Sequence, residues 1–353
     1  MKKIYLAISI FILFLVISPF IGNNIIERVL EKKISDISSQ NLIVKKSNTK
    51  FSYFSTQKEY QFLYRESNQE ILIDADIRYS NLLFNKMVSV EIYPISFGQK
   101  QIEDKTLLVH IDYNIITQNF NGYFKDIKQI YTLKDATKIS LSVLNSTFNG
   151  KGKLNNPNTF NSNMEQFSLK IIKKSQIVSL DIQDFISSIT HNKEDKKEIT
   201  TEISCHNLYL NSDRKKVQFE DFNYSTTFNE LDKKVFINFQ KRVQENPNEI
   251  RTALLELLSN SRKISINNLS FKNTVINNKN LGALKLSSNL LFRKNFLTDT
   301  NLQISKKIFK EIQKSFPLIY LVQFYAQNVG DDYFFNIKLK DEKLTVNGKG
   351  LNL

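Results

Sequence analysis

The chain has 353 residues, with 49 basic and 35 acidic side chains and a formal net charge of +14. A hydrophobic content of 41% is too high for a disordered chain, and nine glycines and five prolines are too few for collagen or a flexible linker. One cysteine, Cys205, cannot form an internal disulfide or a structural zinc site of the usual Cys-rich kind. What remains is a globular, basic, β-rich protein of one or two domains.

The chain begins Met1-Lys2-Lys3, followed by an uncharged run from Ile4 to Ile21. As a helix this run is about 27 Å long, close to the hydrocarbon thickness of a bilayer. It ends Ser18-Pro19-Phe20-Ile21-Gly22-Asn23, with bulky residues where a signal-peptide cleavage site needs small ones. Residues 1–22 therefore read as an uncleaved transmembrane anchor. The basic N-terminus is expected to stay in the cytoplasm, with the long remainder exported; Arg28, Lys32 and Lys33 on the far side are offset by Glu27 and Glu31. An exported body faces an oxidising compartment, so the unpaired Cys205 should be buried and inert.

Residues 23–42 read as an amphipathic connecting helix, with Ile25, Val29, Leu30, Ile34 and Ile37 at helical spacing. From residue 43 to 353 the period changes to two. Alternation predicts strands over Ile71–Tyr79, Leu107–Ile115, Phe167–Ile172, Ile177–Ile182, Ile199–Leu210, Val217–Phe228, Val235–Phe239, Ile264–Phe271 and Leu284–Phe292. Asn, Asp, Ser and Lys punctuate them, and Asn and Asp tolerate the left-handed backbone that turns need. Leu180–Phe185, Ile203–Leu208, Val217–Phe222 and Ile264–Leu269 share an alternation broken by Asx and then Leu or Phe; their uneven spacing suits a recurring strand with a bulge, not a solenoid. Asn246-Pro247-Asn248-Glu249 signals a helix start, and a second helix is expected from Ser305 to Gln327, ended or kinked at Pro317. Tyr333–Lys338 and Lys343–Val346 read as a closing hairpin. A sub-boundary is expected near 240–250. The fold class is α+β and β-rich: a single N-terminal transmembrane helix, then a long, mostly antiparallel curved sheet with a few amphipathic helices.

No catalytic motif is present: no Gly-x-Ser-x-Gly elbow, no phosphate-binding glycine loop and no His-Glu-x-x-His. His110 lies in a strand and His191 in a charged loop, Thr190–Glu198. The adjacent Cys205 and His206 would face opposite sides of a strand, which is poor spacing for a metal. Asp74 and Asp76 share one strand face and are best read as a solvated surface. No catalytic, cofactor-binding or metal residue is assigned, and no cofactor is implied. The excess charge lies mainly in residues 151–300, with 23 basic residues against 16 acidic, much of it in doublets such as Lys173-Lys174 and in the triplet Arg214-Lys215-Lys216. Neighbouring strand residues face opposite ways, so doublets cannot build one stripe. A solubilising surface explains the charge better than nucleic acid, and anionic lipid headgroups are its more plausible partner.

The chain resembles the YdgA-like family of Gram-negative envelope proteins. The basic start and apolar span leave through Pro19-Phe20-Ile21-Gly22, similar to that family's proline–aromatic–x–glycine exit. Phe51-Ser52-Tyr53-Phe54-Ser55 is similar to its glycine-tryptophan-phenylalanine-serine segment, with Ser52 and Tyr53 in place of glycine and tryptophan. Asn328–Tyr333 to Leu344–Lys349 is similar to its terminal hairpin. A weaker likeness exists to AsmA-type envelope proteins, which are implicated in lipid handling. The resemblance implies an inner-membrane protein with a periplasmic body and no assigned reaction. The expected function is non-enzymatic, a scaffold or binding surface in the cell envelope. Its expected partners are the inner membrane through residues 4–21, lipid or another envelope protein, and a second copy in a homo-oligomer; nucleic acid is not among them. The alternative is a periplasmic hydrolase or other enzyme without a recognisable motif.

Overall fold

A computed structural model describes residues 22–350 except 33, 36–41, 67–68, 83–85, 98–99, 102–106, 133–136, 154–155, 175, 192–197, 214, 293–295, 317–318 and 341–342. Between 230 and 262 it describes 235, 238–239, 241–243, 246, 249–250, 252–253 and 256. The expected membrane span at 4–21 lies outside the described residues. Among those described, no helix is long and apolar enough to cross a membrane. The fold is β-rich and antiparallel with few helices, as the alternation predicts. It divides into two compact units: Met1–Asp126 with Thr147–Leu154, and Ile127–Ser146 with Asn155–Leu353. The 240–250 region lies inside the second unit.

In the first unit, β1 (Leu42–Phe51), β2 (Ser55–Glu66), β3 (Gln69–Ser80) and β4 (Met87–Phe97) pair in chain order, each antiparallel to the last. The short β5 (Lys100–Gln101) folds back on the end of β4, whose other neighbour besides β3 is β6 (Val109–Asn114), and β7 (Asn119–Phe124) follows. Alternation places Tyr60, Ile77, Tyr79 and Val88 on one face, where they close over Ile26 of helix α1, helical at residues 22–32 and 34–35. The buried stripe of α1 is Ile26, Leu30 and Ile34, whereas Ile25 and Val29 of the expected stripe are exposed. Charge explains the rotation. Lys58 rises from β2 into the helix interface, is only 1% exposed, and donates to the Glu27 carboxylate with Glu31 at 4.0 Å. Turning α1 toward Ile25 and Val29 would swing these carboxylates away from a buried ammonium. At one end of the interface the Tyr79 phenol donates to Asn23 Oδ1 (2.9 Å), and buried Asn81 donates to the Ser52 carbonyl (2.7 Å). Lys86 is buried nearby with no hydrogen-bond partner among the described residues, and burial lowers its amine's pKa.

In the second unit, β8 (Ile127–Thr132), the first part of β9 (Lys138–Lys153), β10 (Asn156–Lys173), β11 (Gln176–His191), β12 (Ile199–Ser212) and β13 (Lys215–Asn229) pair successively. β13 then takes two partners end to end, β14 (Lys263–Phe271) and β15 (Asn273–Ile276), the latter closed by β16 (Lys279–Asn280). β17 (Leu284–Phe292) pairs with β14, and β18 (Phe296–Ser305) pairs with β17. Helices α2 (Lys306–Ser315) and α3 (Ile319–Gln323) come next, followed by β19 (Gln327–Val329), β20 (Asp332–Lys340), β21 (Lys343–Val346) and β22 (Lys349–Gly350). β20 and β21 form the expected closing hairpin.

The core of this unit is where α2 sets Ile308 and Phe309 against Leu281, Ile304, Phe335 and Val346. Ser305 caps α2: its hydroxyl accepts from Ile308 N (3.1 Å) and donates to the Leu281 carbonyl. Such a cap is worth about 1 kcal/mol. The single helix expected from 305 to 327 divides here, because Phe316 leaves helical geometry just before Pro317 and Gln327 already belongs to a strand. The strand expected at Val235–Phe239 is corrected: Val235, Asn238 and Phe239 are helical. Val235 and Phe239, four apart, pack together on Ile199 and Phe228, so the apolar spacing there serves a helix face.

Burial, with Glu27 adding to it, pushes the Tyr79 phenol up to about 12 from its usual 10. The unfolded chain therefore loses this proton first. Stability from Tyr79 is fully present below pH 10 and is lost as pH rises toward 12, by about 2–3 kcal/mol in all. Lys86 acts oppositely, gaining stability as pH climbs to its unfolded value of 10.5. Urea titrations followed by circular dichroism should show Tyr79→Phe less stable at pH 8 but flatter between pH 8 and 11 by about 1 kcal/mol; parallel curves would refute the assignment.

Candidate functional site

On the face of the first unit opposite α1, strand register aligns Glu59, Asp76, Glu91, His110 and Tyr123 across β2, β3, β4, β6 and β7. Asp76, expected on a solvated face, is buried at 7% exposure, because this row of side chains covers it; Asp74 accepts from Gln61 Nε2 at 3.3 Å. His110 is held between two carboxylates, with Nδ1 3.6 Å from Glu91 and Nε2 3.2 Å from Asp112, and it stacks on Tyr123 with ring centroids 5.2 Å apart. Arg78 lies 3.4 Å from Glu91. Burial, and then a hydrogen bond to Glu91, push the Tyr93 phenol up to about 12.

This is a dense titratable cluster, but its wiring is not that of a catalytic triad. A histidine base needs one nitrogen on an orienting acid and the other free for the reacting proton. Both nitrogens of His110 face carboxylates. Ser89, the nearby hydroxyl, donates to Asp112 instead of to the imidazole. These contacts hold adjacent strands together.

The second unit carries a different feature. Asn145 donates to Glu165 on the next strand. The register of β10, β11, β12 and β13 then continues the row through Asp184, His206 and Asp221, to Lys272 at the break between β14 and β15. Regular ladder pairing skips this row on every strand, then resumes in the same register. Alternate members are left-handed: Asn145 at φ 48°, Asp184 at 53° and Asp221 at 51°. His206 Nδ1 lies 2.7 Å from Asp221 and Lys272 Nζ 3.7 Å from it. A parallel row beside it runs Gln166, Gln183, Asn207, Glu220 and Asn273, with Asn207 donating to Gln183 (3.0 Å) and Asn273 to Glu220 (3.2 Å).

Each strand therefore has two polar residues in succession, and its apolar positions change parity across them. In β12 they are Ile199, Ile203 and Cys205, then Leu208 and Leu210; in β13 they are Phe228, Tyr224 and Phe222, then Phe219 and Val217. The side chains nonetheless stay on one face: Phe271, before the crease, meets Phe219, beyond it, at 5.1 Å between ring centroids. The fourth segment of the shared pattern, Ile264–Leu269, has a true bulge at Asn267, which donates to Thr227 Oγ1 (2.8 Å). The doublets Gln183-Asp184, His206-Asn207 and Glu220-Asp221 were visible as interruptions of alternation. Their alignment into one line needed the register.

The two faces of this ladder differ. The apolar face is half open: β10 has no buried described side chain, β12 buries Ile199 and Cys205, and Val178 and Leu210 are exposed. The polar face holds a shallow cleft of about 340 Å³ next to the crease, whose walls mix polar side chains such as Glu202, Asn223 and Asn268 with Ile186, Ile203 and Tyr224. Cys205 is buried, as expected, and burial raises its thiol pKa. His206 faces the other way and is exposed. His191 ends β11 opposite Ile199; it is a strand residue, not a member of the expected loop. No group of described His, Cys, Asp and Glu residues could hold a metal ion. No protein-family model matches the chain, and no curated protein sequence does.

The crease is a backbone device, so Asp184 should tolerate glycine but not a β-branched residue. Asp184→Gly is expected within about 0.5 kcal/mol of the parent, and Asp184→Val about 1–2 kcal/mol less stable, in urea midpoints. Equal losses in the two variants would mean that the side chain, not the left-handed backbone, matters there.

Proposed function

We propose that the protein is a non-enzymatic, inner-membrane-anchored envelope protein whose β-rich periplasmic body serves as a binding surface. The anchor is the uncharged run 4–21, and the YdgA-like resemblance supports the same topology. The observation that carries the binding role is the half-open apolar face of β10 to β13. Long strands set Phe167, Ile182, Leu208 and Phe219 side by side with no buried side chain among them. Apolar surface left contiguous in this way calls for an occupant. Lipid acyl chains suit it best, because the face is broad, is lined by Leu, Ile, Val and Phe, and carries no charged side chain at those positions. The cluster around His110 supports a non-enzymatic reading, since both imidazole nitrogens face carboxylates and the Ser89 hydroxyl donates to Asp112.

A phosphatase fused after Leu353 should be active outside the cytoplasm, and an inactive fusion would defeat the topology. Native mass spectrometry of the full chain should show co-purified phospholipid, reduced several-fold in Leu208→Lys, which puts a charge into the face. A consistently lipid-free protein with a single cross-linked protein partner would replace lipid by protein as the occupant.

A further inference from the structure

The ten residues Phe316-Pro317-Leu318-Ile319-Tyr320-Leu321-Val322-Gln323-Phe324-Tyr325 carry no charge. A run of this length is too short to span a bilayer, and belongs either in a protein core or at a membrane interface. The core reading fails on exposure. α3 has no buried residue. Phe316 is 63% exposed, Tyr320 56% and Phe324 70%, and Leu321 and Val329 are half exposed. Only the inner side of α3, Ile319 and Val322, touches the core under α2. Tyr320 and Phe324 pack edge to face at 5.5 Å, which presents one aromatic ridge outward.

Charge says what covers the ridge. Lys307, Lys310 and Lys314 stand three and four residues apart on the side of α2 opposite buried Ile308 and Phe309. Lys314 pairs with Glu311 (2.7 Å), whereas Lys307 and Lys310 have no ion pair among the described residues. Gln313 Nε2 donates to Gln323 Oε1 (2.8 Å), which fixes this basic helix beside the aromatic one. Phenylalanine and tyrosine beside free lysines match the two layers of an anionic bilayer surface, the acyl boundary and the phosphate plane.

We infer that α3 and the basic side of α2 form a peripheral docking site for an anionic phospholipid surface, separate from both the span at 4–21 and the apolar sheet face. It rests on residues 306–329 alone.

The chain has no tryptophan, so Phe324→Trp gives a single emitter on the ridge. Ile130→Trp, at another exposed apolar position in the second unit, is the control. The full-length variants are reconstituted into vesicles of phosphatidylcholine with or without phosphatidylglycerol. With phosphatidylglycerol, emission from position 324 should shift to the blue and be quenched by brominated acyl chains, while position 130 stays unquenched. Adding K307Q/K310Q should weaken the quenching, in proportion to a loss of about fivefold in docking per lysine, and high salt should do the same. Three results overturn the inference: no shift at 324, equal quenching at 130, or a shift already present in protein without vesicles, which would assign the ridge to a second copy of the chain. Topology is read by the phosphatase fusion, so the two ideas fail separately.

Discussion

A β-strand repeats every two residues, so two consecutive polar side chains send everything beyond them to the wrong face. The second unit is organised around the solution to that problem. Asn145, Asp184 and Asp221 turn the backbone into the left-handed region on alternate strands, and beyond the crease Ile182, Leu208 and Phe219 lie on the side of Phe185, Cys205 and Phe222. The residue types follow from the geometry, since Asn and Asp are the non-glycine residues that accept this conformation most readily. Because each strand makes the change at the same place, ladder register is unchanged on both sides. A solitary bulge, as at Asn267, instead shifts register and perturbs its neighbours.

The first unit meets a different constraint. Among the described residues its covering layer is α1, and the interface contains a lysine. Burying an ammonium is tolerable only if the opposing carboxylates are held in place, so Lys58 fixes both the rotation of α1 and its position along the sheet. Apolar packing of Ile26, Leu30 and Ile34 supplies the affinity between helix and sheet, and the ion pair supplies the alignment. The opposite face does the reverse, gathering polar and charged side chains, Glu91, Asp112 and Arg78 among them, around His110.

Much of this architecture was legible in the sequence. Alternation located β3, β6, β12, β13, β14 and β17, and the pattern shared by Leu180–Phe185, Ile203–Leu208 and Val217–Phe222 marked the crease. Three things were not legible, each for a physical reason. The face of α1 was misread by one residue, because Ile25 and Val29 are as apolar as Ile26 and Leu30 and only the partner lysine distinguishes them. Val235–Phe239 read as a strand because its apolar residues satisfy both periods over so short a span. The cluster around His110 joins residues from β4 and β6, and nothing local to His110 indicates that both its nitrogens face carboxylates.

Nearly every strand pairs with its neighbour in sequence, from β1 to β4 and again from β8 to β13. Loops between partners are short, so little chain entropy is lost in closing each hairpin, and each new strand finds its template already formed. Such a sheet can assemble from one end while the rest of the chain is still being delivered. The edge exposed at any moment is then the one awaiting the next segment, which limits the time it is free to recruit a foreign strand.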